Sequence, residues 1–109
     1  MARNDYLGAF EQIVLLALVR LRNNAYGVTI RREIAERAGR DVSIGAIYTT
    51  LERMERKGLV TSFRGEPTPE RGGRGKRYYA IAAPGVEALN RSRDVIDRMW
   101  DGLGAPVEA

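Results

Sequence analysis

Cysteine and histidine are both absent from this chain of 109 residues. Without cysteine there can be no disulfide, thiol nucleophile or thiolate metal site, and without histidine there is no imidazole for acid–base catalysis or for a Cys/His zinc site. Long apolar runs are missing as well. The longest, Ile13 to Val19, is far shorter than the roughly 18 residues of a membrane span, and it follows Glu11 rather than the basic segment of a secretion signal. No membrane contact is therefore expected, and the expected location is the cytoplasm. An enzyme is the least supported class: Ser43 has no histidine to activate it and the carboxylates are scattered. The glycine-rich stretch also lacks the strand-to-helix context and the Gly-Lys-Ser/Thr ending of a phosphate loop. Neither a cofactor nor a metal is expected.

What is present describes an ordinary globular domain. Hydrophobic residues make up 44% and charged residues 29%, enough for one packed core at this length. Lys and Arg total 18 against 14 Asp and Glu, a net charge of +4, which favours a polyanionic partner. The excess is local, since Arg53 to Arg77 holds eight basic and three acidic residues.

Between Tyr6 and Arg22 the residues Leu7, Phe10, Ile13, Val14, Ala17, Leu18 and Leu21 recur at spacings of three and four, predicting a helix. Leu15, Leu16 and Val19 make its other face apolar too, so a partner chain is expected to cover part of it. Asn23-Asn24 reads as a turn. A shorter helix follows over Val28 to Ala38, closed by Gly39. Ser43 is the expected N-cap of a third helix ending at Gly58, with Ile44, Ile47, Leu51 and Met54 inward and Gly45, Ala46, Thr49, Thr50, Arg53 and Lys57 outward. Leu59 to Arg64 and Arg77 to Ala82 favour strands, and residues 65–76 between them are too rich in Gly and Pro to be anything but a loop. Pro84 suits the first position of a last helix reaching about Leu103, where Leu89, Ile96 and Leu103 are spaced by seven, as are Val86, Arg93 and Trp100.

Helix, helix, helix, hairpin, helix is thus the predicted order: a mainly α fold with a small β-hairpin, a winged helix-turn-helix over residues 1–82, a dimerisation helix over 83–104 and a frayed tail over 105–109. Two helices joined by a short turn and followed by a two-stranded wing can seat one helix in a DNA major groove.

Three blocks carry a more specific signal: Tyr26-Gly27 with Ile30; Ser43-x-Gly45-x-x-Tyr48-x-x-Leu51-x-Arg53-Met54-Glu55-x-x-Gly58-Leu59-Val60; and Gly73-Arg74-Gly75-Lys76-Arg77-Tyr78-Tyr79, followed by Gly85 and Leu89. In this order they resemble the PadR-like family of winged-helix regulators from about Leu7 to Leu103. The resemblance implies a dimeric transcription factor, often a repressor, dimerised through its last helix and responsive to a small molecule. It also implies the short subgroup with a single terminal helix. Ala82 stands where the family commonly has a capping Thr, and Thr49 where many relatives have Pro, leaving a backbone N–H and a hydroxyl near the expected phosphate contacts.

The expected partners are double-stranded DNA carrying an inverted-repeat operator, a second copy of the chain and a small aromatic effector. The DNA-contacting candidates are Tyr26, Ser43, Gly45, Ala46, Tyr48, Thr49, Thr50 and Arg53, where small and hydroxyl-bearing residues let a helix approach phosphates and bases. To these the wing adds Arg71, Arg74, Lys76 and Arg77. The Tyr48 ring is expected beside Ile44 and Leu51 with its hydroxyl reaching out, while Tyr78 and Tyr79 are expected to pack within the strands. Leu7, Phe10, Leu15, Val86, Leu89, Ile96, Met99, Trp100 and Leu103 are the expected dimer contacts, with Trp100 also a stacking wall for the effector. The competing reading is a winged-helix module that bridges proteins without specific DNA binding.

Overall fold

The computed structural model describes residues 6–65, 75–104 and 106–108. Helix α1 spans Ala9–Leu21, followed by a 3₁₀ turn at Arg22–Asn24. Helices α2 and α3 span Gly27–Ala38 and Ile44–Arg56, strands β1 and β2 span Val60–Arg64 and Arg77–Ile81, and helix α4 spans Ala83–Trp100.

Each boundary has a local cause. Glu11 Oε1 accepts the Gly8 N–H at 3.0 Å and so opens α1 three residues after the sequence-based start. At the other end Arg22 has φ 56° and ψ −121°, a conformation L-residues seldom adopt, and it turns the chain sharply out of the helix. Thr29 Oγ1 accepts the Tyr26 N–H at 3.0 Å and donates to the Asn24 carbonyl at 2.7 Å, fixing the start of α2. That helix ends on Gly39 at φ 66°, a left-handed cap that glycine adopts without strain. Ser43 Oγ accepts the Ala46 N–H at 3.0 Å, the cap expected for α3.

Val14, Leu15 and Leu18 from α1, Ile30 and Ile34 from α2, Ile47, Leu51 and Met54 from α3, and Val60 and Tyr79 from the strands are all buried together. The strands pair antiparallel from Val60↔Ile81 to Arg64↔Arg77. The Tyr79 N–H donates to the Ala25 carbonyl at 2.9 Å and fastens the hairpin to the α1–α2 connection. Among the described residues no buried side-chain nitrogen or oxygen lacks a hydrogen-bond partner.

Helix α4 turns a stripe of small residues inward: Gly85, Ala88 and Ser92 are buried. Small side chains permit the close approach seen at Gly85, where a Cβ would stand 2.3 Å from the Leu59 carbonyl oxygen. Ser92 Oγ accepts the Leu7 N–H at 3.3 Å. Both boundaries of α4 differ from the sequence expectation. Ala83 precedes Pro84 as the first helical residue, and Ala82 supplies no side-chain cap. The helix stops at Trp100, with Gly102 at φ 84°, so Leu103 lies beyond the helical seam. Residues 106–108 carry neither helix nor strand.

Candidate nucleic-acid interface

The most exposed line of α3 runs through Gly45, Thr49, Glu52 and Arg56, with Ser43 and Ala46 exposed beside its start. These positions recur at four, three and four residues, so they lie one above another on a single face. The expected outward face was rotated toward α1 by part of a turn. Thr50 is 4% exposed and is corrected from a surface hydroxyl to a core residue, because it stands at i+3 from Ile47 and i−4 from Met54, on the buried side of α3. Arg53 and Lys57 follow Thr50 at i+3 and i+7 and share that flank. They meet Glu11, whose Oε2 lies 3.3 Å from Arg53 Nε and 3.7 Å from Lys57 Nζ. Arg53 therefore leans onto α1 instead of extending outward. Arg56, which the hydrophobic pattern did not single out, takes the outward place.

Tyr48 is a second correction. Its ring is half-buried against Tyr79, with centroids 6.2 Å apart. Its hydroxyl end lies on the start of α2, where a Cβ on Gly27 would come within 2.7 Å of the Tyr48 oxygen. The hydroxyl is turned to α2, and the residue sets the spacing of the two helices.

The base of the wing is a layer of aromatic rings. Phe63 stacks on Tyr78 with centroids 5.5 Å apart, and Tyr78 meets the edge of Tyr26 at 5.3 Å. Lys76 Nζ sits 5.2 Å from the centre of the Tyr26 ring, a cation–π contact that brings a wing cation to the N-terminus of α2. The Gly65 N–H donates to the Lys76 carbonyl at 2.8 Å, and Arg64 Nη1 donates to the Gly75 carbonyl at 2.8 Å, closing the ladder. Ser62 Oγ donates to Glu55 Oε2 at 2.8 Å and ties the hairpin to α3. Arg77 is exposed. Tyr79 is buried, as a strand-packing residue should be, and burial raises its pKa. Arg71 and Arg74 lie outside the described residues.

A family model for PadR-like transcriptional regulators matches residues 15–91. The chain belongs to the PadR-like family. It is thus a DNA-binding transcriptional regulator of winged-helix fold. Among solved structures, that of an hsRosR-S4 complex is similar at 26% identity and a TM-score of 0.69, over 90% of this chain and 77% of the other. A PadR family regulator from Eggerthella lenta DSM 2243 is 25% identical, with a TM-score of 0.65 over 84% and 77% of the two chains. One from Clostridium difficile R20291, 23% identical with a TM-score of 0.69 over 86% and 96%, shares the fold. No curated protein matches the sequence.

On this PadR-like chain a second surface lies between α1 and α4. Leu16, Val19, Val86, Ile96, Met99 and Trp100 are between 43% and 72% exposed. A groove of about 560 Å³ runs between the helices, lined by Leu16, Val19, Val86, Leu89 and Ile96 with Gln12, Asn90, Arg93 and Asp97 at its polar edges. Trp100 is not among the lining residues. Leu15 and Leu7 are corrected from the partner-facing set to the core, at 0% and 9% exposure: Leu15 joins Val14, Ala17 and Leu18 on the buried side of α1, and Leu7, ahead of that helix, is held to α4 through its N–H bond to Ser92. Leu16 and Val19, apolar in the sequence but not chosen, occupy the outward positions. Phe10 is half-buried, with the Arg40 guanidinium 5.5 Å from its ring centre. Among the described residues no helix is long and apolar enough to cross a membrane.

Proposed function

We propose that this regulator binds an inverted-repeat DNA duplex as a homodimer, with α3 of each protomer in the major groove of one half-site. The observation that carries the reading is the exposed Gly45–Thr49–Glu52–Arg56 stripe of α3, which begins at a Ser43-capped N-terminus and includes no large apolar group. Small residues permit close approach, the helix N-terminus favours phosphate, and Thr49, Glu52 and Arg56 can address base edges. Lys76 and Arg77, together with Arg71 and Arg74 from the sequence between the strands, supply phosphate contacts. Two-fold symmetry requires two related half-sites about one helical turn, or a multiple of it, apart. Selection from a random duplex library tests this: recovery of inverted repeats supports it, and equal binding to every duplex contradicts it.

The apolar surface of α1 and α4 supports dimerisation. Burial of each such side chain contributes roughly 1.5 to 3 kcal/mol, so several together outweigh the cost of association. Changing Leu89 and Ile96 together to Asp should give monomers in sedimentation; a dimer at micromolar concentration contradicts the interface. Repression by operator occupancy, relieved by a small aromatic effector at the α1–α4 groove, completes the proposal. Trp100 is the single tryptophan and ends the α4 helix that lines the groove, so its fluorescence monitors such an effector. A panel of planar aromatic compounds that neither alters this emission nor weakens DNA binding contradicts that part.

A further inference from the structure

The Glu11 carboxylate is the most heavily used acidic group among the described residues, and the DNA-binding reading gives it no part. Its side chain is only 13% exposed, whereas those of Arg53 and Lys57 are 43% and 49% exposed. One oxygen holds the Gly8 N–H at the start of α1. The other faces the two cations at the C-terminal end of α3, at 3.3 Å and 3.7 Å. Burial alone would raise this carboxyl. The Gly8 N–H bond and the charges of Lys57 and Arg53 outweigh that effect and hold it below the usual carboxylate range, so it is ionised at neutral pH.

We infer that Glu11 is a positioning residue that sets DNA affinity by withholding Arg53 and Lys57 from the phosphate backbone. The inference rests on the proposal that α3 enters a DNA groove. Arg53 and Lys57 lie on the recognition helix beside its exposed stripe, on long side chains whose outer portions reach solvent. Left unpaired, they would be natural phosphate ligands. Moving them to a phosphate would strip both cations from a largely buried anion and leave that anion beside a polyanion. What the phosphate gains, Glu11 loses, and the two cations add little to binding. Phosphate contacts carry no sequence information, so this restraint lowers affinity for all duplexes together. The ratio of operator to non-operator affinity is left unchanged, and binding to either is more readily reversed. Glu11 sits on α1 immediately before the groove residue Gln12, so the restraint also joins the helix of the α1–α4 groove to the recognition helix.

The experiment is Glu11→Gln, which preserves an oxygen for the Gly8 N–H and removes the charge, with folding checked by circular dichroism. Binding to a random-sequence duplex and to a selected operator is measured by fluorescence anisotropy across a salt series. Each released cation adds about 0.9 to the magnitude of the log–log salt slope, and two should tighten binding on both duplexes by about tenfold or more per protomer near 0.1 M salt. Adding Arg53→Ala and Lys57→Ala to Glu11→Gln should return affinity and slope toward the parent values. A folded Glu11→Gln protein with unchanged affinity and slope overturns the inference, and so does a gain that survives removal of both cations. A parent protein with no salt-dependent duplex binding overturns the DNA reading itself.

Discussion

Replacing Gly27 by Ala tests whether Tyr48 is the spacer between α2 and α3. A Cβ at position 27 would stand 2.7 Å from the Tyr48 oxygen, 3.0 Å from Cζ and 3.1 Å from Cε2. Van der Waals contact requires about 3.5 Å or more, so either the ring or α2 must move. The ring has little freedom, because Tyr79 packs beside it with centroids 6.2 Å apart and is itself fully buried. Overpacking of this kind costs about 2 kcal/mol. Alanine's better helix propensity returns about 0.5–1 kcal/mol, leaving a net loss of roughly 1 kcal/mol. For a domain of this size that lowers Tm by about 4–5 °C. Thermal melts at fixed protein concentration provide the assay, since a dimer's Tm depends on concentration. With Tyr48 changed to Ala the obstacle is gone, and Gly27→Ala should then cost less than about 0.5 kcal/mol, a coupling that a double-mutant cycle measures. If Gly27→Ala is as stable as the parent while Tyr48 is intact, the ring is not pinned and the reasoning fails.

At the other end of the fold, Gly85→Ala should lower Tm by about 8 °C, since its Cβ meets the Leu59 backbone oxygen at 2.3 Å and an overlap with backbone costs about 3 kcal/mol against about 1 kcal/mol of propensity. An unchanged melt would show that α4 does not sit against that carbonyl. Arg22→Gly should raise the urea midpoint, because a side chain at φ 56° stores of order 1–3 kcal/mol that glycine releases, less about 0.5–1 kcal/mol of extra unfolded-state entropy; a lower midpoint refutes the strain. Two groups should shape stability against pH. Burial raises the Tyr79 pKa, so its contribution is present below the ordinary tyrosine value of about 10 and is lost as pH rises through the folded value. Tyr79→Phe should flatten that alkaline loss in chemical-denaturation titrations, and an identical alkaline limb in both proteins refutes the assignment. Glu11 is lowered, so its contribution is present above the ordinary carboxylate value and is lost as pH falls through the folded one; Glu11→Gln should flatten the acid limb.

The elements were legible where one physical signal dominated. Ser43, Gly39 and the alternating residues around Tyr79 mark a cap, a stop and a strand in any context. The phase of α3 was harder to read. Thr50 resembles a surface residue by composition, but its position beside Leu51 and Met54 buries it, and that moves Arg53 and Lys57 onto α1. Glu11 gave no warning of this pairing, because its partners lie more than forty residues away along the chain. The Tyr48–Gly27 contact was hidden for the same reason, although a glycine opening a helix was a signal for a close neighbour. On α1, the unbroken apolar run Ile13 to Val19 obscured which of its residues the core would take. Leu15 went inward and Leu16 outward, since only packing against the rest of the core decides the rotation. For α4 the sevenfold spacing indicated a helix, which runs to Trp100 and ends before Leu103.

Which side of α3 faces DNA decides whether this chain reads sequence as proposed. Thr49→Ala and Arg56→Ala should each change discrimination among operator variants, a bidentate base contact being worth about 1–3 kcal/mol. Lys76→Ala should instead weaken all duplexes alike and reduce the salt slope by about 1. Competition titrations of the three variants against selected and random duplexes at several salt concentrations measure both quantities together. Altered preference is expected for the two α3 variants and a uniform loss for the wing variant. Unchanged preference in Thr49→Ala and Arg56→Ala, with the parent still selective, would place the reading surface elsewhere and contradict the proposal.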